Sequence, residues 1–169
     1  MDPHHYCQER AAASGSSFYY SFVFLPQETR RAITAFYALC RELDDVVDEC
    51  HDPAIAQAKL DWWRDEIARF AAGSPEHPTT RALAETPQGR TIAPALLLEI
   101  VDGMAMDLER VRYADFKSLH LYCHRVAGVV GEIAAAIFDG GRGDHDRALR
   151  RYAHDLGLAF QLTNIIRDV

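Results

Sequence analysis

Two aspartates on one amphipathic segment have the spacing that suits metal-ion chemistry. The chain reads RELDDVVDE over residues 41–49, so Asp44 and Asp48 lie one turn apart on the same face of a helix, in line with Tyr37 and Arg41. This line borders the apolar stripe, where unpaired like charges are costly. Two carboxylates with open positions match how Mg²⁺ is held when phosphates complete its shell, and a solvated acidic patch is the alternative.

A second polar stripe lies near the end of the sequence. Gln161, Asn164 and Asp168 follow one another at intervals of three and four residues, on a segment whose other positions are largely apolar. If the two segments pack antiparallel, the stripes can face each other across a cavity. A buried polar network or an exposed helix face would give the same pattern.

Glycines and aromatics mark two further places where a ligand could lie. Gly128 and Gly131 fall inside a helical pattern, where each costs about 1 kcal/mol relative to Ala, so either a neighbouring helix or a bulky ligand approaches that backbone. The sequence FYYSFVF over residues 18–24 is typical of a core segment. Aromatic ring faces also stabilise a carbocation through cation–π attraction.

Composition limits the class of protein. The 169 residues are 49% hydrophobic and 25% charged with a net charge of −7, which indicates an ordinary globular chain and gives no reason to expect nucleic-acid binding. Only Lys59 and Lys117 are lysines, and the remaining basic residues are arginines, which suit bidentate phosphate binding. The longest uncharged stretch, residues 11–27, is too polar and short to cross a bilayer. We therefore expect no membrane span.

The terminus, the cysteines and the histidines add little chemistry. Residues 1–5 lack the features of a secretory signal, so we expect a cytoplasmic protein. The cysteines show no CxxC spacing and are expected to be reduced and mostly buried. The eight histidines form no convincing i, i+4 pair, so we expect none of them to bind a metal.

The elements that must position these residues are all helical. Apolar residues recur at helical spacing and strand-like alternation is absent, which predicts an all-α fold. Predicted helices cover about residues 5–13, 26–50, 53–73, 92–112, 115–139 and 144 onward, with an irregular connection over 74–91 that holds one helical turn at 81–85. The last helix is in register when the sequence stops at Val169, so we interpret 1–169 as a single, incomplete helical domain of a longer protein.

Five motifs, in order, resemble the squalene/phytoene synthase family of head-to-head prenyl synthases. They are SSFYYSF (16–22), YALCRELDDVVDE (37–49), GMAMDL (103–108), VAGVVG (126–131) and GLAFQLTNIIRDV (157–169). The resemblance covers essentially the whole chain and is closest to the bacterial branch that makes presqualene diphosphate for hopanoids. It implies an isoprenoid-synthase-type antiparallel helical bundle with Mg²⁺ bound between two aspartate-rich motifs.

The resemblance also implies roles for individual residues. Asp44, Asp48, Asn164 and Asp168 would bind Mg²⁺. Asp45, beside the first motif, would belong to the catalytic set, and Asp107 is a further candidate. Ser17, Tyr37, Arg41, Gln161 and Arg167 would bind diphosphate or line the pocket near it. Phe18, Phe22 and Tyr122 would line the prenyl pocket and flank the cation.

The implied reaction condenses two farnesyl diphosphates to presqualene diphosphate. Phytoene synthase, acting on geranylgeranyl diphosphate, squalene synthase and a non-catalytic helical assembly protein are the alternatives. NADPH is not expected, since the sequence has no GxGxxG fingerprint. In the family the second motif continues past Asp168, so we expect the 169-residue chain itself to have little activity and an exposed apolar face. Because such substrates are hydrophobic, we expect peripheral contact with the inner membrane. The sequence leaves the oligomeric state open.

Overall fold

The chain folds as a bundle of helices. The computed structural model describes residues 1–109, 112–140 and 147–167, and these ranges contain no strand, which confirms the all-α prediction. The helices are α1 (Pro3–Ala13), α2 (Ser17–Ser21), α3 (Gln27–Asp48), α4 (Pro53–Ala71), α5 (Pro78–Glu85), α6 (Pro87–Arg90), α7 (Pro94–Leu108), α8 (Phe116–Cys123), α9 (Val129–Phe138) and α10 (Arg147–Arg167). A short 3-10 turn, Phe22–Phe24, follows α2, and a π turn, His124–Gly128, joins α8 to α9.

Side-chain caps fix where several helices begin. Asp52 accepts a hydrogen bond from the Ala54 amide (2.9 Å) and Pro53 occupies the first helical position of α4, as the sequence predicts. Asp2 and Asp115 cap α1 and α8 in the same way. Each cap satisfies an amide that would otherwise have no partner, so these boundaries follow directly from local chemistry.

Helix α3 lies at the centre of the core. Its apolar stripe, represented by Phe36, Leu39 and Leu43, is fully buried. Helix α3 packs against α1, α5, α7 and α9, while α4 packs on α7 and α10 packs on α9. The Asp44 and Asp48 carboxylates therefore sit at the end of the most enclosed helix in the described structure.

The predicted irregular connection is mostly helical. Instead of one turn near residues 81–85, it contains α5 and α6. Both begin with a proline at the first helical position, and the side chains of His77 and Thr86 cap them. Pro78 and Pro87 within this connection are thus helix starts, since a proline at that position has no hydrogen bond to lose.

A buried carboxylate ties this connection to α4. The Glu66 side chain is 0% exposed, and it accepts hydrogen bonds from the amides of Glu76 and His77, both at 2.9 Å. It also accepts from the Thr80 hydroxyl and from Arg69. Burial alone would raise the pKa of Glu66, but these hydrogen bonds outweigh it and lower the pKa.

The continuous helical stretch from α8 to α9 modifies the prediction about membrane spans. At 23 residues, Phe116–Phe138 is long and apolar enough, by length and composition, to cross a bilayer, and it alone is so among the described helices. This stretch is not uncharged, because it carries Lys117, Arg125 and Glu132. The stretch contacts α3, α7 and α10, as expected for a bundle helix.

The aromatic run at residues 18–24 is only partly core, and the prediction that it is a core segment is wrong for most of its rings. Phe22 is buried, but Phe18, Tyr20 and Phe24 are 58%, 65% and 90% exposed. The five residues of α2 and the 3-10 turn after it make one short layer over α3, so few of their side chains can reach the core. Phe22 reaches it through an edge contact with Tyr37, with ring centroids 5.9 Å apart.

Candidate active site

Asp44 carries the most unusual electrostatics of the predicted site. Its Oδ2 atom accepts a hydrogen bond from Arg41 Nη1 at 3.1 Å within α3. Burial raises the pKa of Asp44 to about 6, the charge of Arg41 opposes that rise, and the charges of Asp48 and Asp107 add to it. A single arginine therefore does not neutralise the negative charge gathered around Asp44.

Asp107, on α7, brings a third carboxylate to this region. It accepts a hydrogen bond from the Tyr122 hydroxyl at 2.9 Å, which joins α7 to α8. Burial raises the pKa of Asp107, the Tyr122 hydrogen bond counteracts it, and the charge of Asp48 raises the pKa further. Tyr113 stacks on Tyr122 with ring centroids 5.3 Å apart. The carboxylates of α3 and α7 thus act on one another, and we call Asp44, Asp48 and Asp107 the acidic cluster.

Asp45 belongs to a different set of contacts. It forms an ion pair with Arg10 of α1 and a longer one with Arg41 at 3.4 Å. The neighbouring Glu42 accepts hydrogen bonds from Tyr6 (2.6 Å) and Arg10 (2.8 Å). The structure therefore places Asp45 in a network that ties α1 to α3, beside the acidic cluster and not in it.

Tyr37 and the start of α2 border the same helix. The Tyr37 hydroxyl donates to Ser14 Oγ at 3.0 Å, and its ring contacts Phe22. Ser17 is the first residue of α2 and is exposed, while Ser16 caps the helix. These contacts place Ser14 and Phe22 next to Tyr37 of α3.

The second polar stripe lies on α10. Gln161 is half-buried, Asn164 and Arg167 are exposed, and Asp168 lies outside the described residues. The ring of Phe160 makes an edge contact with Phe18 of α2 at 6.4 Å, which brings α10 next to the aromatic segment. Two cavities of about 400 Å³ and 510 Å³ are lined mainly by residues of α1, α3 and α4, and Asp45 lines the second of them. That both stripes face one cavity stays a prediction.

The helical glycines are explained by a neighbouring helix. A Cβ atom at Gly131 would meet the carbonyl oxygen of Ala153, and one at Gly157 would meet that of Ala127. A Cβ at Gly128 would lie 2.7 Å from the His154 ring. Of the two alternatives left open by the sequence, α10 is the partner of this backbone.

The donor set of the acidic cluster fits a magnesium ion. All of its groups are carboxylate oxygens, the ligands that Mg²⁺ prefers, and burial, with a smaller contribution from the charges of Asp48 and Asp107, raises the pKa of Asp44. Asp44 and Asp48 would bind the ion from α3. Asn164 and Asp168 remain predicted ligands from α10.

Two contacts between helices could not be predicted from the sequence. Asp107 and Tyr122 are both candidate site residues from the sequence. Their spacing does not indicate that one hydrogen-bonds the other. His124, in the π turn, and His154, on α10, are 30 residues apart in the sequence, yet their ring nitrogens lie 2.8 Å apart. A spacing rule within one helix finds neither pair, because both form by packing between helices.

Known structures share this architecture and define the fold as an all-α isoprenoid-synthase type. A dehydrosqualene synthase in complex with a ligand matches with a TM-score of 0.82 and 28% identity, over 98% of this chain and 56% of that one. The squalene synthase HpnC from Alicyclobacillus acidocaldarius matches with a TM-score of 0.82 and 26% identity, over 96% of this chain and 59% of that one. The predicted helical bundle is thereby confirmed.

Sequence comparison then identifies the family. The squalene/phytoene synthase family model matches residues 11–169, and the chain belongs to that family. The chloroplastic phytoene synthase of Narcissus pseudonarcissus is 35% identical over 99% of this chain and 40% of its own length. The 15-cis-phytoene synthase of Synechocystis sp. is 35% identical over 96% of this chain and 51% of its own length. The chain thus spans about half the length of these relatives.

Proposed function

We propose that the protein carrying this chain is a Mg²⁺-dependent prenyltransferase that joins two allylic prenyl diphosphates head-to-head. The observation that supports this most is the acidic cluster, in which burial, with smaller contributions from the charges of Asp48 and Asp107, raises the pKa of Asp44 to about 6. Partly buried carboxylates that act electrostatically on one another are typical of sites that bind a cation. Family membership supports the same reaction class.

The roles proposed for the residues follow from their positions. Bound Mg²⁺ would supply Lewis-acid stabilisation of the departing diphosphate. Arg41, beside Asp44 on α3, would add positive charge toward the same group. Tyr122 would hold the Asp107 carboxylate in place through its 2.9 Å hydrogen bond. Phe18 and Phe22 would present ring faces to the allylic cation.

The reaction proposed for these groups has three steps. The C–O bond of the donor breaks and the electron pair leaves with diphosphate, which produces an allylic cation. The alkene of the second substrate attacks C1 of that cation, and loss of one proton closes a cyclopropane. A diphosphate oxygen and a tyrosine hydroxyl are the two candidate acceptors of this proton.

Farnesyl diphosphate is the first candidate substrate, with presqualene diphosphate as product. The motifs at residues 11–22 and 46–50 support it, and the structural neighbours named above are dehydrosqualene and squalene synthases. Geranylgeranyl diphosphate is the second candidate, because the sequence relatives named above are phytoene synthases. The two candidates share the metal chemistry and differ in the depth of cavity that they need.

Product analysis tests the proposal directly. The protein, expressed from its complete reading frame, would be incubated with each prenyl diphosphate and Mg²⁺, with and without NADPH, and the products identified by mass spectrometry. A C30 cyclopropyl diphosphate formed without NADPH would support the presqualene candidate. A C40 product would identify phytoene synthesis, and squalene formed only with NADPH would identify squalene synthesis. If neither substrate is consumed, the non-catalytic assembly protein becomes the leading hypothesis.

For location we propose a cytoplasmic protein that touches the inner membrane peripherally. Its substrates and product would be hydrophobic, and Tyr20 and Phe24 are exposed on one segment. The net charge of −7 offers no general attraction to anionic lipid, so apolar contact would carry the interaction.

A further inference from the structure

Two histidines and a glutamate from different helical segments converge beside α10. His124 begins the π turn, Glu132 lies on α9 and His154 lies on α10. Ligand atoms of the three side chains, one from each, lie within 4.8 Å of one another, and all three residues are partly buried. The two ring nitrogens, His124 Nδ1 and His154 Nε2, are 2.8 Å apart.

The π turn is what places His124 and Glu132 on one face. In an uninterrupted α-helix, residues about seven apart return to the same side, whereas these two are eight apart. A π turn accommodates one additional residue, so it restores the alignment. Such turns cost helix regularity and are frequent at functional sites, which gives this irregularity a reason.

The backbone around His154 also leaves room for its ring. A Cβ atom at Gly128 would lie 2.7 Å from the Cδ2 and Nε2 atoms of His154, so any other residue there would push the ring away. On the far side of the ring, Nδ1 lies 3.5 Å from Asp155 Oδ1. A carboxylate at that nitrogen is the usual outer partner of a metal-binding histidine, since it keeps the proton on Nδ1 and the lone pair on Nε2.

The protonation of His124 is compatible with ligation. Burial lowers the pKa of His124, and the neighbouring His154 lowers it further, while Glu99 and Glu132 oppose the change. A neutral imidazole is the form that binds metal ions. Ligands of a tetrahedral Zn²⁺ lie about 3.3 Å apart, so the imidazole pair need separate by only about half an ångström.

From this geometry we propose that His124, Glu132 and His154 form a binding site for a divalent transition-metal ion, with Zn²⁺ as the best fit. Two imidazoles and one carboxylate favour Zn²⁺ or Co²⁺ over Mg²⁺, which prefers an oxygen-only shell such as that of the acidic cluster. The ion would connect the π turn and α9 to α10, the helix that carries Gln161 and Asn164. This site is independent of the proposed prenyl transfer.

Metal titration tests the site. Metal-free protein would be titrated with Co²⁺ in the presence of excess Mg²⁺, with the visible d–d absorption as the signal and Zn²⁺ as the competitor. We expect one equivalent to bind with a low-symmetry spectrum. His154→Gln and His124→Gln should each weaken binding by at least about 100-fold, because loss of an outer partner alone costs roughly 10–100-fold.

Controls separate this cluster from other histidines. His120→Gln changes an exposed histidine one turn before His124, and His5→Gln removes the exposed N-terminal pair with Glu9. Both variants should bind like the parent. Circular dichroism of each metal-free variant would show whether it folds, and Glu132→Gln provides a third ligand change.

A measurement on the unsubstituted protein gives an independent decision. X-ray absorption of the Zn²⁺-loaded chain should show scattering from two imidazoles. An all-oxygen shell, no binding of Co²⁺ or Zn²⁺, or unchanged affinity in folded His154→Gln and His124→Gln would each overturn the proposal. None of these measurements depends on prenyl transfer. The metal-site proposal is therefore unaffected if the proposed prenyltransferase activity is not found.

Discussion

The carboxyl group of Asp44 illustrates how a binding site and a stable fold make opposite demands on one residue. Burial, with a further contribution from Asp48 and Asp107 and against the charge of Arg41, raises the pKa of Asp44 from 3.8 to about 6. Between those values the folded chain holds the proton more tightly than the unfolded chain does. The contribution of this group to stability is therefore largest at acid pH and decreases as the pH rises through that window.

Asp44→Asn should consequently stabilise the metal-free chain at neutral pH. Removing the charge relieves its desolvation and its repulsion with Asp48, so we expect the free energy of unfolding above pH 6 to increase by on the order of 1 kcal/mol after solvent screening. The difference should disappear below about pH 4, where the parent carboxyl is protonated. Urea unfolding across pH measures it, and a variant less stable than the parent at pH 7 would contradict the expectation.

The same substitution should have the opposite effect on turnover. Under the proposed function, Asp44→Asn and Asp48→Asn each remove a metal ligand, and several kcal/mol of transition-state stabilisation corresponds to a loss of about 100-fold or more in kcat. Asp61→Asn, an exposed carboxylate on α4 paired with Arg64, is the matched control and should leave kcat unchanged. Equal activity of all three variants would sink the assignment of the acidic cluster.

At the scale of the helices, Glu66 shows how one buried carboxylate organises a connection. Because hydrogen bonds outweigh burial and lower the pKa of Glu66, its ionised form stabilises the fold above its ordinary value of 4.5. That stabilisation is lost as the pH falls through the lowered pKa. The connection between α4 and α5 is therefore expected to loosen first under acid conditions.

Glu66→Gln should destabilise the chain at neutral pH by about 1–3 kcal/mol, since the amide cannot accept all the hydrogen bonds that the carboxylate accepts. Thermal unfolding at several pH values measures this, and the gap to the parent should narrow below about pH 4.5. Glu76→Gln is the control. Its side chain is 69% exposed and reaches the same arginine, Arg69, at 3.7 Å, so little change is expected.

The comparison of prediction with structure also belongs to this scale. Helices that begin with a capping aspartate or carry a long apolar stripe, such as α3 and α4, are predicted well because their signals are local. Residues 74–91 are predicted as an irregular connection because a proline that begins a helix, such as Pro78 or Pro87, and a proline in a loop look alike in sequence. The π turn leaves no local signal, and the third member of the cluster, His154, joins His124 and Glu132 only through the packing of α10.

Some features of the candidate site can likewise be predicted from local spacing, and others depend on tertiary packing. Asp44 and Asp48 could be found from their spacing on one helix, and the structure surrounds them with groups that make the acidic cluster. The contact of Asp107 with Tyr122 and the separation of Asp45 toward Arg10 depend on tertiary packing, which no spacing rule contains. Asn164 stays a predicted ligand on α10.

For the molecule as a whole, exposed apolar side chains are the main feature that a folded core does not explain. Phe24, in the 3-10 turn, is 90% exposed. On α10, Ile166 is 76% exposed and Phe160 is 52% exposed. An exposed apolar surface is expected of a chain that meets a partner, a membrane or another part of its own protein. The proposed peripheral membrane contact is one way to cover it.

Vesicle flotation tests that contact. We expect binding to uncharged phosphatidylcholine vesicles that anionic lipid does not strengthen, because the chain carries a net charge of −7. Phe24→Ser should weaken binding by roughly 10-fold, since burying a phenylalanine in the membrane contributes about 1.5–3 kcal/mol. It should leave the unfolding free energy unchanged, because Phe24 is exposed in the folded chain. Phe138→Ser, at the end of α9 and 50% exposed, is the matched control. Binding that increases with anionic lipid would contradict this account.

The contacts of α1 bear on how the chain acquires its fold during synthesis. Helix α1 packs on α3 and α5, and α3 packs on α5, so these three elements enclose one another within the first 85 residues. The ion pairs of Arg10 with Glu42 and Asp45 lie wholly inside that range. Chains are synthesised from the N-terminus, so residues 1–85 leave the ribosome before α10 is made. All the partners that these contacts of α1 require are therefore present on the emerging chain before α10 has been translated.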